Sequence, residues 1–205
     1  MQTPDEGYLK YNQQHIHKDT IELAFGELIL YRNKLAALNL IGVYPDKIGF
    51  GNISARNANG AGFIISGTQT GQIPLADEAH FALVTNADIK NNTVYSEGPV
   101  QASSESLTHA AIYNADENIT CVMHVHHQQL WQLLLNNVAT VSSDIAYGTP
   151  EMAEAIRQKV NEINTANAQK IIVTAGHKDG ILTYGKDIGN AYNVLMQFYA
   201  AFQLH

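Results

Sequence analysis

The chain has 205 residues, 45% of them hydrophobic and 15% charged, which suits a single domain with a full core. Its formal net charge of -7 excludes recognition of nucleic acid or anionic membrane by bulk electrostatics. One cysteine, Cys121, excludes an internal disulfide, and no apolar run reaches the length of a membrane span.

Residues 1–17 read as a polar N-terminal lead with no apolar core of a signal peptide, which points to a cytoplasmic protein. Residues 18–205 read as one domain. Asp19 or Thr20 can cap a first helix, with Glu22 in its first turn. Ile21, Ala24, Phe25, Leu28, Ile29, Arg32, Leu35, Ala36 and Leu40 carry that helix at a largely helical spacing to near Gly42. Residues 48–56 then form a strand with two glycines in its first half. Asn57-Ala58-Asn59-Gly60 turns it, and residues 62–66 return as a hairpin.

The loop Ser66-Gly67-Thr68-Gln69-Thr70-Gly71 is rich in small residues with free amides and hydroxyls. Such a loop can wrap an anion such as phosphate, and it can equally be a turn without a ligand. Residues 81–89 and 93–96 are strands around Asn91-Asn92, ended by Gly98-Pro99. Ser103-Ser104-Glu105 opens a helix that runs to about Tyr113, with Ser103 or Ser104 as its cap. A helix start favours anions through its free N–H groups and dipole. Glu105 either complements that dipole or faces a metal.

Thr120-Cys121-Val122-Met123-His124-Val125-His126-His127 reads as a buried strand. Strand side chains repeat every two residues, so His124 and His126 share one face and Val125 and His127 the other. On a helix the two histidines would stand about 200° apart. His-x-His on a strand commonly holds two of three protein ligands of a catalytic metal; ordinary hydrogen-bonded histidines are the alternative. His127, facing the other way, is expected to be structural or near the surface.

Residues 128–135 form a helix with Trp131 and Leu134 or Leu135 inward. Residues 138–145 are irregular, with room for a short strand. Pro150 starts a helix whose apolar face is Met152, Ala153, Ile156, Val160 and Ile163. Residues 171–175 and 181–185 are strands on either side of Gly176-His177-Lys178-Asp179-Gly180, where His177 can project into a cleft. Residues 187–205 form a closing helix. Unevenly alternating helices and strands, with several hairpins, predict an α/β fold: a mixed sheet with helices on its faces.

Gly51-Asn52-Ile53-Ser54-Ala55-Arg56, Ser66-Gly67-Thr68, Ser103-Ser104-Glu105, His124-Val125-His126, Tyr147-Gly148-Thr149 and Gly176-His177 occur in an order that resembles the class II aldolase/adducin family. The resemblance covers most of the chain, from the first helix to the last strand. It implies a three-layer fold with a mainly antiparallel central sheet between helices, and a homotetramer with sites near subunit interfaces. It implies zinc, or another divalent transition metal, held by His124, His126 and His177. Glu105 falls on the family glutamate, which touches the metal when no substrate is bound and acts as acid/base when it is. Asn52, Ser66, Gly67, Ser103 and Ser104 fall on its phosphate pocket, with an alignment through Thr70-Gly71 left open.

The implied substrate is a small sugar phosphate. The implied chemistry is retro-aldol cleavage of a ketose phosphate through a metal-stabilised enediolate, with Glu105 moving the proton at carbon. Asp144 and Tyr147 are the candidates for proton transfer at the aldehyde end. The aspartate tilts the reading towards a pentulose-phosphate 4-epimerase or a methylthioribulose-1-phosphate-type dehydratase. A non-catalytic, adducin-like binding module is the alternative of another class. Two features depart from the family: glycine follows His177 only at Gly180, not directly, and the stretch between Ser66 and Ser103 is longer than in the short aldolases.

Overall fold

The computed structural model describes residues 9–203. In chain order its elements are β1 (Asn12–His17), α1 (Gly26–Ala37), β2 (Gly42–Val43), β3 (Gly49–Phe50), β4 (Asn52–Arg56), β5 (Phe63–Ser66), β6 (Phe81–Asp88) and β7 (Thr93–Gly98). They continue with α2 (Ser106–Ala115), β8 (Cys121–His126), α3 (Gln128–Leu134), β9 (Ala139–Val141), α4 (Pro150–Ala166), β10 (Ile171–Thr174), β11 (Gly180–Gly185) and α5 (Ile188–Gln203).

Nine strands form one sheet in the order β1-β7-β6-β5-β4-β8-β11-β10-β9, while β2 pairs with β3. The two edge pairings, β1 with β7 and β9 with β10, are parallel. The pairings between them are antiparallel, as the hairpin patterning predicts. Strand β8 sits in the sheet interior, between β4 and β11.

Alternation along the strands splits the apolar residues into two cores. Val122, Ile172, Leu182 and Tyr184 join α2 and α4 on one face. Cys121, Met123, Val125, Ile171, Val173 and Ile181 join α1, α3 and α5 on the other. The expected apolar face of α4 is its buried face. That helix starts where Pro150 stands at its first turn and the Thr149 hydroxyl accepts from the Met152 amide at 3.2 Å. It ends at Asn167, which takes the left-handed conformation with φ 48°.

Three expectations differ from the structure. Residues 12–17, placed in a loose polar lead, are strand β1, registered from Asn12 opposite Thr93 to His17 opposite Gly98. An edge strand exposed on much of its surface carries little apolar pattern, so Asn-Gln-Gln-His-Ile-His gives no strand signal. His15 is half-buried, with Nδ1 2.9 Å from the Ser96 hydroxyl, while His17 faces solvent. Helix α1 begins at Gly26, not Asp19 or Thr20, because residues 18–25 close the sheet edge: the Lys18 amide donates to Gly98 O, and Ile21 and Leu23 pack on the second core. The strand expected over 48–56 is broken at Gly51, whose φ of +76° turns the chain between β3 and β4.

Gly51 also tolerates no side chain: a Cβ would stand 2.9 Å from Ile41 and 3.1 Å from His124 O. The loop after β5 is held from behind by Arg32, which is fully buried on α1. Its guanidinium donates to Thr70 O at 2.6 Å and also to Ile73 O. The backbone between β5 and β6 is thus anchored to a helix by a cation with no carboxylate among these partners.

Gly51→Ala is expected to lower the unfolding free energy by about 1–3 kcal/mol in urea titration, from backbone strain and crowding together. Arg32→Met leaves two carbonyls without their donor; a loss of about 1–3 kcal/mol is expected, with faster amide hydrogen exchange at residues 70–73.

Candidate active site

Strand β8 is buried along its whole length. His124 and His126 stand on its α2 side, with Asn52 on β4 opposite His124 and Gly180 on β11 opposite His126. His177 comes from the turn between β10 and β11. Three bonds pin that turn: the Thr174 hydroxyl donates to His177 O at 3.3 Å and to Gly180 O at 3.2 Å, and the Gly180 amide donates to His177 O at 3.1 Å. Gly176 lets the turn approach residues 143–145, since a Cβ there would lie 2.4 Å from Ile145 O.

The three imidazoles converge. Their ligand-capable nitrogens lie within 4.8 Å of one another, and all three residues are buried. Glu105 reaches the same point from just before α2, with its carboxylate oxygens 4.0 Å from His124 Nδ1 and 3.9 Å from His177 Nδ1. Burial first, and then the neighbouring imidazoles, hold His124 and His126 well below the usual histidine range, so both are neutral and keep a lone pair. His124 Nδ1 is buried with no hydrogen-bond partner among the described residues. Neutral imidazoles beside a carboxylate are a donor set that fits a divalent transition ion. The Tyr44 hydroxyl lies 2.8 Å from His126 Nδ1, which fixes that ring from outside, as hydrogen bonds to metal-binding histidines commonly do.

A polar pocket opens over the cluster, lined by Asn52, residues 67–71, Ser103, Ser104, Glu105, His124, Tyr147 and His177. Among the described residues no lysine or arginine lines it. The amides of Gly67 and Thr68 are committed to His80 O and Gln101 O, both at 2.9 Å. Those of Gln69, Thr70 and Gly71 have no backbone acceptor among the described residues, and Gln69 has φ 57°. The alignment through Thr70-Gly71 therefore carries the free amides of this loop.

Ser66 does not reach the pocket lining. It lies buried in β5, and its hydroxyl accepts the Ile53 amide at 3.2 Å. Ser103 does line the pocket, and its hydroxyl accepts the Glu105 amide at 3.3 Å. Neither serine is the cap residue of α2: Glu105 occupies that position, with φ -93° and ψ 8° and no capping bond from its side chain.

The two candidates for the aldehyde end separate. Tyr147 is buried and stacks on His177, with ring centroids 4.3 Å apart and planes 19° apart, and the Lys10 ammonium lies 3.9 Å from its ring centroid. Asp144 is exposed, accepts from the Ser142 hydroxyl, and is not among the residues lining this pocket. His127 caps α3, its Nδ1 accepting from the Leu130 amide at 3.2 Å, which bears out a structural place for it.

Sequence reasoning missed Tyr44, Lys10, Tyr11 and the place of Arg32. The Tyr11 hydroxyl donates to Ser103 O at 2.8 Å, so the N-terminal segment braces the serine turn. A signal for Arg32 was present: it is the one charged residue in the otherwise apolar series at helical spacing.

The sequence matches the family described as Class II Aldolase and Adducin N-terminal domain over residues 45–205. No curated protein sequence matches the chain. Among solved structures, an L-fuculose 1-phosphate aldolase superposes with a TM-score of 0.64 at 22% identity, covering 87% of this chain and 82% of that one. The L-fuculose-1-phosphate aldolase of Thermus thermophilus does so at 0.62 and 18%, covering 88% and 91%. A sugar-phosphate aldolase of Thermotoga maritima gives 0.63 and 17%, covering 87% and 93%. At these identities the superpositions establish a shared fold, and the family match spans most of the chain. This chain belongs to the class II aldolase and adducin N-terminal domain family.

Proposed function

We propose that the protein is a metal-dependent aldolase that cleaves a ketose phosphate by retro-aldol chemistry, with zinc as the ion. The observation that carries this reading is the convergence of three buried imidazoles and the Glu105 carboxylate under a pocket walled by loop amides and hydroxyls. His124, His126 and His177 would hold the ion, and Glu105 would neighbour it. Bound there, a divalent ion supplies Lewis acidity, drawing electron density from a substrate carbonyl.

The chain's own groups do the rest. Residues 69–71, Asn52, Ser103 and Ser104 hold the phosphate by amides and hydroxyls, which places the substrate's carbonyl end over the histidines. Burial of Glu105 keeps bulk water from its carboxylate. Glu105 hands a proton to the carbon released by cleavage and takes it back in the reverse direction. Tyr147, stacked against His177 in the same pocket, exchanges the proton of the hydroxyl that becomes the aldehyde. The exposed setting of Asp144 supports aldol cleavage over 4-epimerisation or dehydration, the readings that its carboxylate would have favoured.

Protein purified without chelator or an affinity tag is expected to carry about one divalent ion per chain by plasma mass spectrometry. His126→Ala is expected to lose that ion; a full complement in the variant overturns the ligand assignment. Glu105→Gln is expected to keep the ion and release dihydroxyacetone phosphate from L-fuculose 1-phosphate or a related ketose 1-phosphate at least about 100-fold more slowly. Wild-type protein that takes up no divalent ion when zinc is supplied overturns the catalytic reading and leaves a binding module.

A further inference from the structure

Arg32 on α1 is 0% exposed. Its guanidinium donates to Thr70 O at 2.6 Å, to Ile73 O, and to the Asn33 side-chain oxygen at 3.2 Å. None of these partners is a carboxylate, and Nε is buried with no hydrogen-bond partner among the described residues. A guanidinium keeps its charge in such a setting, and a buried charge with no opposite charge beside it is unfavourable. The polar pocket over the histidines has the converse make-up: among the described residues no lysine or arginine lines it, while Glu105 does.

One peptide unit joins the two. Thr70 and Gly71 both line the pocket, and the Thr70 carbonyl faces Arg32. In a trans peptide the N–H of the next residue points the opposite way from the carbonyl, so the Gly71 N–H is directed away from the guanidinium. It has no backbone acceptor among the described residues. Gly71 is also wedged in place, since a Cβ there would stand 2.1 Å from Gly42 O. The other carbonyl held by Arg32, that of Ile73, precedes Pro74 and has no N–H to pass on. A cation on a carbonyl polarises the peptide and strengthens its N–H as a donor. An anion on the Gly71 amide would lie about 8 Å from the guanidinium, from the dimensions of the peptide and of two hydrogen bonds. At that range, with an effective dielectric near 20, each unit of negative charge gains about 30-fold in binding.

We propose that Arg32 is the counter-charge of this pocket. It acts through the Thr70–Gly71 peptide unit without touching the anion, and it selects a doubly charged phosphate monoester over a singly charged group of the same shape. The inference rests on the phosphate reading of the pocket given above, and adds what supplies its charge. A neutral amide side chain could brace the loop carbonyls; only a cation could sort ligands by charge.

The test is calorimetric titration of the zinc-supplied protein at pH 8 with methyl phosphate and methyl sulfate, tetrahedral anions of one shape with about two and about one negative charges. Wild type is expected to prefer methyl phosphate by about 30-fold in Kd. Arg32→Gln keeps an amide donor for the loop and removes the charge. It is expected to narrow the preference to about threefold or less, with metal content retained. Asn33→Asp sets a carboxylate on the guanidinium while Arg32 stays in place, and is expected to narrow the preference as well.

A merely structural Arg32 would weaken both ligands alike and leave their ratio where it was. A wild type that binds both ligands equally, or a preference that survives Arg32→Gln, overturns the inference alone. Should Arg32→Gln fail to fold, an unmoved ratio in Asn33→Asp overturns it equally. A wild type that binds neither ligand overturns the phosphate reading of the pocket and this inference together.

Discussion

Alternation along β8 puts Cys121, Met123 and Val125 into one core while Val122, His124 and His126 point into the other layer, in a strand with no exposed residue. Burial on both faces decides the chemistry of the two histidines. Burial, with the neighbouring imidazoles, disfavours a proton on either ring, so both stay neutral and offer lone pairs. The third imidazole arrives on a turn pinned by the Thr174 hydroxyl, and Trp131 ties α3 to the same strand end through its indole N–H on Thr174 O at 3.0 Å. The cluster is thus set by a sheet interior and a braced turn, elements with little freedom to drift.

The polar pocket over the cluster is built by different means. Its loop has few side chains to pack, so it is ordered from behind, by a buried guanidinium on α1 that donates to two of its carbonyls. Carbonyls drawn back towards Arg32 leave the amides at residues 69–71 uncommitted. The serine turn before α2 is braced in the same way by the Tyr11 hydroxyl from the N-terminal segment. The two walls of the pocket therefore owe their shape to residues that do not line it.

Much of this was readable in the residue pattern. Period-two spacing placed His124 and His126 on one face, hairpin signals placed β4 with β5 and β6 with β7, and the apolar stripe of α4 was the one that is buried. Local cues failed where tertiary contacts outweighed them. The β1 strand has almost no apolar pattern, and its pairing with β7 comes from the sheet edge. The start of α1 was displaced because Ile21 and Leu23 are used to close the second core. Ser66 ends the returning strand, as its spacing suggested, but its hydroxyl is spent on the Ile53 amide and not on the pocket.

Residue type and spacing by themselves determined which side chains could act together on one strand, where the main turns fell, and which family the chain resembles. Those properties are local, since side-chain direction follows from backbone period over a few residues. Only the tertiary structure decided that His177 and Glu105 meet the β8 pair, that Tyr147 reaches the cluster while Asp144 stays in solvent, and that Arg32 is buried behind the loop. Each depends on how strands and helices far apart in sequence pack, and on which polar groups that packing removes from water, neither of which the pattern along the chain encodes.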